Sequence, residues 1–121
     1  MEFFNFDWHG KCLKLQLSVG AFCSGNMAIL LHDWSDGWPE PWYHLAVNTP
    51  LVCPENCTLI NTNPLGVEIL AWVEGQLLAV PTGRYAHSGY CTYPEYRFEP
   101  KFLRRLDPDG YSKYLQYLHK T

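Results

Sequence analysis

Leu13, Leu15, Leu17 and Val19 alternate with Lys14, Gln16 and Ser18. Successive side chains of a β-strand point to opposite faces, so this run has one buried face and one wet face. Antiparallel sheets permit that division. Upstream, Phe4, Phe6 and Trp8 alternate with Asn5 and Asp7, and His9-Gly10 between the two runs reads as a turn. The first twenty residues therefore predict an N-terminal hairpin.

The rest of the chain continues the pattern. Ser24-Gly25-Asn26 is a turn signal, and Met27 to Leu31 is a short apolar run that fits a buried strand. His32 to Pro41 reads as a loop carrying Trp34 and Trp38, and Trp42 to Val47 resumes as a strand. Cys57 to Ile60 fits another short strand. Asn63-Pro64 predicts a helix start, because Asn caps free N–H groups and Pro at the first position has none to lose. Leu65, Ile69, Trp72 and Val73 share one face of that helix, and Gly75 is placed to end it in the left-handed conformation. Gly66 inside its first turn weakens it. Pro81-Thr82-Gly83 reads as an offset type II turn. Tyr90 to Phe98 reads as a strand that lies on an edge or bulges at Pro94, since proline cannot donate to a ladder. Asp107-Pro108 opens a last helix reaching about His119, with Tyr111, Tyr114, Leu115 and Leu118 on its apolar face. The expected fold is α+β, a twisted antiparallel sheet of about five to six strands with two helices. It forms a single domain, residues 1–121, with a sheet-rich body over 1–100 and a basic helical tail over 101–121.

Composition sharpens this where rings and charges are concerned. Five Trp, eight Tyr and six Phe in 121 residues exceed what so small a core hides, and surplus exposed rings point to a partner interface. Residues 1–83 set Lys11 and Lys14 against eight acids, a balance of -6; from Arg84 onward seven bases face Glu95, Glu99, Asp107 and Asp109, a balance of +3. Either the fold mixes the halves into one even surface, or a bipolar surface docks a charged partner. Five cysteines, with an acidic and aromatic N-terminus in place of a signal peptide, predict reduced thiols in the cytoplasm. No apolar run approaches the roughly twenty residues a membrane span needs.

Spacing discriminates among the candidate chemistries. Cys53 and Cys57 make one loose ligand pair, and His32, His44 and His87 are scattered, whereas structural zinc sites show two compact pairs. Buried thiols are the simpler account, so no metal or cofactor is expected. A Cys91–His87 nucleophile requires the chain between them to fold back, because four strand residues span roughly 13 Å; no catalytic residue is assigned. Arg84 can hold an anion or tether its turn, and with His87 and Tyr90 it marks an alternative site for a nucleotide or metabolite. The pI near 5.9 argues against direct nucleic-acid binding by Arg97, Lys101, Arg104 and Arg105. Trp34, Trp38 and Trp42, rimmed by Asp36 and Glu40, form the better recognition candidate, joined by Arg104 and Arg105 on the tail. The competing reading packs those tryptophans over the sheet.

GNMAILLHD, LAVNTP, CTLINTNP, PTGR and SGYCTYPEYRF, in that order between Gly25 and Phe98, resemble a family of small bacterial proteins of unknown function. Such proteins are common in phages, plasmids and other mobile elements, and relatives of this kind include candidate anti-CRISPR proteins. The resemblance implies a mobile-element setting and a host protein or ribonucleoprotein complex as partner, and it brings no catalytic residues. The Trp34–Trp42 segment and the residues after Pro100 depart from the family pattern. The expected function is non-enzymatic binding that inhibits or modulates host defence.

Overall fold

A computed structural model describes residues 2–63 and 65–119. It is α+β, with eight strands in two antiparallel four-stranded sheets and three helices. The first sheet runs β1 (Phe4–Trp8), β2 (Lys11–Ala21), β3 (Met27–Asp33), β4 (Glu40–His44) in sequence order. His9 and Gly10 join β1 to β2 with φ of 50° and 76°, the double positive φ that matches a two-residue turn to strand twist. The alternation sets the register: Phe6 faces Leu13 and Phe4 faces Leu15, and the Leu13, Leu15, Leu17 and Val19 side is buried.

The second sheet has the order β5 (Ala46–Val47), β6 (Cys57–Ile60), β8 (Cys91–Phe98), β7 (Ala79–Ser88). The chain passes from sheet to sheet at Leu45, which is wholly buried. Its N–H donates to the Ile29 carbonyl at 2.9 Å, and its own carbonyl accepts from Asn61 N–H at 2.8 Å. One residue thus completes a ladder on each side. The inner faces of the two sheets share a core that includes Leu15, Leu17, Ile29, Leu31, Ile60, Tyr96 and Phe98.

Helix α1 (Val67–Gly75) begins later than the Asn63-Pro64 signal predicts. Pro64 lies outside the described residues; Asn63 is in a turn, and Gly66, with φ 60°, is the N-cap and not a residue of the first turn. Gly75 stays helical. The left-handed position falls two residues later on Leu77, φ 59°, where Leu77 N–H reaches Glu74 O and Leu78 N–H reaches Val73 O, a Schellman-type ending. Ile69 and Val73 are buried, and Trp72 meets Phe4 and Phe6 edge-on while donating to Asn5 O at 2.8 Å. Through Trp72, α1 ties β1 to the second sheet.

Two further expectations change. β8 is not an edge strand: it lies between β6 and β7, and β7 is the edge. Pro94 is tolerated because β6 pairs only with Glu95 to Arg97. The β7 ladder is irregular directly opposite it: from Pro81–Tyr96 to Tyr85–Pro94, β7 advances four residues while β8 advances two. Pro81-Thr82-Gly83 is therefore part of a bulge within β7, with Gly83 at φ 90°, and does not reverse the chain. The reversal comes at Gly89-Tyr90, a glycine-first two-residue turn.

The C-terminal segment holds two helices where one was expected, α2 (Pro100–Leu106) and α3 (Pro108–Leu118). Glu99-Pro100 carries the same acid-then-proline signature as Asp107-Pro108, and the Glu99 carboxylate accepts from Lys101 N–H. Tyr111 and Tyr114 of α3 are among the largest wholly buried side chains. Tyr114 Oη accepts from Asn56 N–H at 3.0 Å, and Tyr111 Oη donates to Asn56 Oδ1. Asn56 adopts φ 68°, which asparagine tolerates better than most residues. The residues that read as a tail thus supply core.

Candidate functional site

The β3–β4 hairpin has a short tip, Trp34 to Pro39, and the three tryptophans there are used differently. Trp42 on β4 packs against Phe6, Trp8 and Tyr43 at ring separations of 5.3, 5.8 and 5.6 Å. Trp34 meets Phe3 edge-on at 5.7 Å and donates Nε1–H to Gln16 Oε1 at 2.7 Å. Trp38 alone is exposed, at 58%, and its Nε1–H donates to Glu40 Oε1 at 2.9 Å. Asp33 stiffens the tip by accepting from Ser35 N–H and Oγ–H at 3.0 and 2.6 Å. Burial pushes the Asp33 carboxyl up, but the Ser35 and Lys14 hydrogen bonds and the Lys11 charge outweigh it and hold the group below its ordinary value. Asp36 and Glu40 are exposed. The tip thus presents one exposed indole beside two exposed carboxylates.

Arg104 and Arg105 lie in the last turn of α2. Arg104 lies over the Tyr111 ring at 5.6 Å; Arg105 lies over Phe102 at 4.8 Å and pairs with Glu2 at 3.0 Å. Because Glu2 holds Arg105 and the adjacent Phe3 holds Trp34, the N-terminal segment links the two groups of candidate contacts.

Arg84, His87 and Tyr90 are not gathered round a cavity. Arg84, in the β7 bulge, points its Nε at the Glu95 carboxylate, 3.7 Å away. His87 Nδ1 shares a hydrogen bond with Thr92 Oγ1 at 2.9 Å across the hairpin. Tyr90 is fully exposed in the turn. The chain does fold back between His87 and Cys91, but His87 pairs with Thr92 and Cys91 with Ser88. Adjacent pairs face opposite sides of a sheet, so pleating separates the imidazole from the thiol.

The outer face of the second sheet holds a feature the spacing did not reveal. Glu95 is 1% exposed. Its Oε1 accepts from Thr82 Oγ1–H at 2.7 Å, while Oε2 has no partner among the described residues. The strap from Asn48 to Asn56 crosses this face. It is held by Arg84 to Val52 O at 3.4 Å, Asn26 Nδ2–H to Leu51 O at 2.8 Å, and Cys53 N–H to Asn26 Oδ1 at 3.0 Å. Cys53 and Cys57 are buried with Leu59 and Ala86 under it. Burial, then the nearby Glu95 carboxylate, push the Cys53 thiol up to about 12; burial and Glu95 also raise Cys57. Both stay protonated near neutrality and are poor nucleophiles. No group of three His, Cys, Asp or Glu side chains among the described residues is arranged to hold a metal ion. His32 bonds Ser18 Oγ on the first sheet, and His44 is exposed on β4. No helix of the described residues is long and apolar enough to cross a membrane.

The largest concentration of exposed apolar side chains lies elsewhere, at α1 and the β7–β8 hairpin: Val67, Leu77, Val80, Tyr85 and Tyr90. Two clefts open there. One, of about 430 Å³, lies where α1 passes into β7, lined by Glu74, Leu77, Val80, Arg97, Glu99 and Phe102. The other, about 370 Å³, lies between Val67 and Leu70 of α1 and Pro81, Tyr85 and Tyr96. Of these five residues, spacing in the sequence singled out Tyr90 alone. For the rest, the signal was an apolar pair, Leu77 and Leu78, directly after the expected helix end.

No curated protein matches the chain, and no solved structure does. A family model described as "Domain of unknown function (DUF4313)" matches residues 14–118, from the middle of β2 to the end of α3. With the whole second sheet, all three helices and the first sheet apart from β1 and the start of β2 inside that match, the chain belongs to the DUF4313 family.

Proposed function

We propose that this chain is a non-enzymatic protein of a mobile element that binds a host defence complex and inhibits or modulates it by occupying a surface, as anti-CRISPR proteins do. The observation that carries the reading is Trp38: a large ring 58% exposed, held by Glu40, at the tip of a hairpin fixed by Asp33 and Ser35. A pre-ordered aromatic side chain loses little entropy on docking, and tryptophan is enriched among residues that dominate binding energy. Asp36 and Glu40 make its rim acidic, which suits a basic protein surface such as those that hold guide RNA. The resemblance of the Gly25 to Phe98 segment to mobile-element proteins supports the setting.

Two paired measurements test this. Wild type and Trp38→Ala are compared for capture of a purified RNA-guided nuclease complex, and for protection of a targeted plasmid from cleavage in cells carrying that complex. The expected result is capture and protection by wild type, with at least a tenfold loss in the variant, about 1.4 kcal/mol or more. Equal capture and equal protection by both proteins, or neither by either, counts against it.

A further inference from the structure

Three charged side chains line the 430 Å³ cleft between α1 and β7: Glu74, Arg97 and Glu99. Glu74 Oε2 accepts from Tyr96 Oη–H at 2.9 Å, and Glu99 Oε1 accepts from Lys101 N–H at 3.5 Å. Both donors are neutral, so neither carboxylate has its charge balanced, and each has a second oxygen without a hydrogen bond among the described residues. Arg97 is exposed and makes no ion pair with a carboxylate among the described residues. Glu99 continues the extended backbone of β8, with φ −73° and ψ 118°. Arg97 and Glu99, two residues apart, therefore project to the same side at a spacing of roughly 7 Å.

The remaining wall is apolar. Leu77, Val80 and half-buried Phe102 form it. Leu77 is 74% exposed and holds the left-handed position, φ 59°, at the end of α1, where glycine carries no steric penalty. Strain held in this way concentrates where structure serves binding. The cleft volume falls in the range of about 300 to 1,000 Å³ typical of small-ligand sites.

This lining disfavours a ligand of single charge. A plain acid meets two carboxylates for one guanidinium, and a plain amine meets the guanidinium. A ligand carrying both charges a few bonds apart satisfies all three groups. Its ammonium has three N–H donors to share between the two carboxylates, and its own carboxylate fits the guanidinium fork. The apolar wall adds a hydrocarbon side chain on the same molecule. An α-amino acid has this constitution. Inside a polypeptide, or at either of its ends, a residue loses at least one of the two charges to a peptide bond, which leaves the free amino acid as the occupant.

We propose that the α1–β7 cleft binds a free α-amino acid with an apolar side chain: Glu74 and Glu99 take its ammonium, Arg97 its carboxylate, and Leu77, Val80 and Phe102 its side chain. This site is separate from the Trp38 tip and does not depend on what the tip binds.

The test titrates L-leucine, N-acetyl-leucine, leucinamide and glycine into the full chain, followed by amide shifts and calorimetry. N-acetyl-leucine lacks the ammonium, leucinamide the carboxylate and glycine the side chain. Leucine is expected to perturb the amides of Leu77, Val80, Arg97 and Phe102 and to bind at least about tenfold more tightly than each of the other three. Arg97→Gln removes the preference over leucinamide and keeps the one over N-acetyl-leucine. Glu74→Gln, which keeps an acceptor for Tyr96, does the reverse. Leu77→Gly separates binding from folding, because it raises the melting temperature by a few degrees, roughly as expected for relief of a strained position, while weakening leucine several-fold. Three results overturn the proposal: no shift with leucine up to about 10 mM, where even a millimolar site is filled; N-acetyl-leucine or leucinamide binding as tightly as leucine; or a Leu77→Gly protein with unchanged leucine affinity.

Discussion

Two strand edges in this molecule meet opposite fates. Beyond Leu15, β2 outruns its partner β1, and the start of α3 covers the exposed stretch. There the Asp107 carboxylate accepts from Val19 N–H at 2.8 Å and from Gly110 N–H at 3.1 Å. Gly110 is pressed so close that a Cβ there would overlap both the Val19 carbonyl oxygen and the Asp107 carboxylate. Among the described residues, no helix caps the β7 edge in this way. It is protected by Pro81 and by the bulge at Thr82–Arg84, devices that keep an open edge from pairing at random, while Val80 and Tyr85 stay in solvent. The closed edge is sealed by another element, the open one only by its own irregularity.

The sharpest way to break this contrast is at Asp107. Asp107→Ala strips the acceptor from two backbone N–H groups, the half-buried Gly110 and the buried Val19, and should cost about 3 kcal/mol from the cap and the orphaned donor together. Chemical denaturation measures it; a loss under 1 kcal/mol would mean the β2 edge is not closed by this residue. Gly110→Ala comes next. In a helix that change is ordinarily stabilising by about 1 kcal/mol, but the overlap with Val19 O should reverse the sign and cost about 2 kcal/mol. A gain in stability would show that α3 does not press on β2.

At the open edge, Thr82→Val tests what the bulge is for. Thr82 is exposed, where substitutions usually stay within about 0.5 kcal/mol. Because its hydroxyl is a hydrogen-bond donor to the buried Glu95 carboxylate, the expected loss is about 1.5 to 2 kcal/mol. A neutral result would reduce the bulge to an edge guard.

The smallest effect belongs to the β3–β4 tip. The Asp33 carboxyl is held below its ordinary value of 3.8. Its contribution to stability is therefore complete above that value and is lost as pH falls through the lower, folded one. Comparing urea midpoints of wild type and Asp33→Asn from pH 6 to pH 2.5 should show the gap between them closing as acid is added. A gap that does not change with pH would remove Asp33 from the account.

The strands were legible where the information is local. Alternation in Phe4 to Val19 gives both faces of the first hairpin, and the four residues Cys57 to Ile60, three of them apolar, sufficed for β6. What could not be read was which strands meet, since β8 joins β6 across an intervening helix and strand. That misplacement made Pro94 look like an edge marker. α2 was readable in principle from Glu99-Pro100, but a seven-residue helix shows too few turns for periodicity to stand out. Glu95 alternates with apolar neighbours like any solvent-facing strand residue; its burial depends on a strap forty residues away in sequence. The three tryptophans are equivalent by spacing, and only their neighbours, Phe3, Gln16, Phe6 and Trp8, decide that Trp38 is the one left outside.

The passage of the chain through Leu45 bears on how the protein opens. Its N–H is engaged by one sheet and its carbonyl by the other, so neither sheet can separate from the core without disturbing the same peptide units. Sub-global opening of one sheet alone is thereby coupled to the other, and the two should unfold as one cooperative unit. The Leu45 and Asn61 amides should then exchange with solvent at rates set by the global unfolding free energy, with denaturant slopes that match each other, whereas the Tyr90 amide in the β7–β8 turn should exchange without that protection.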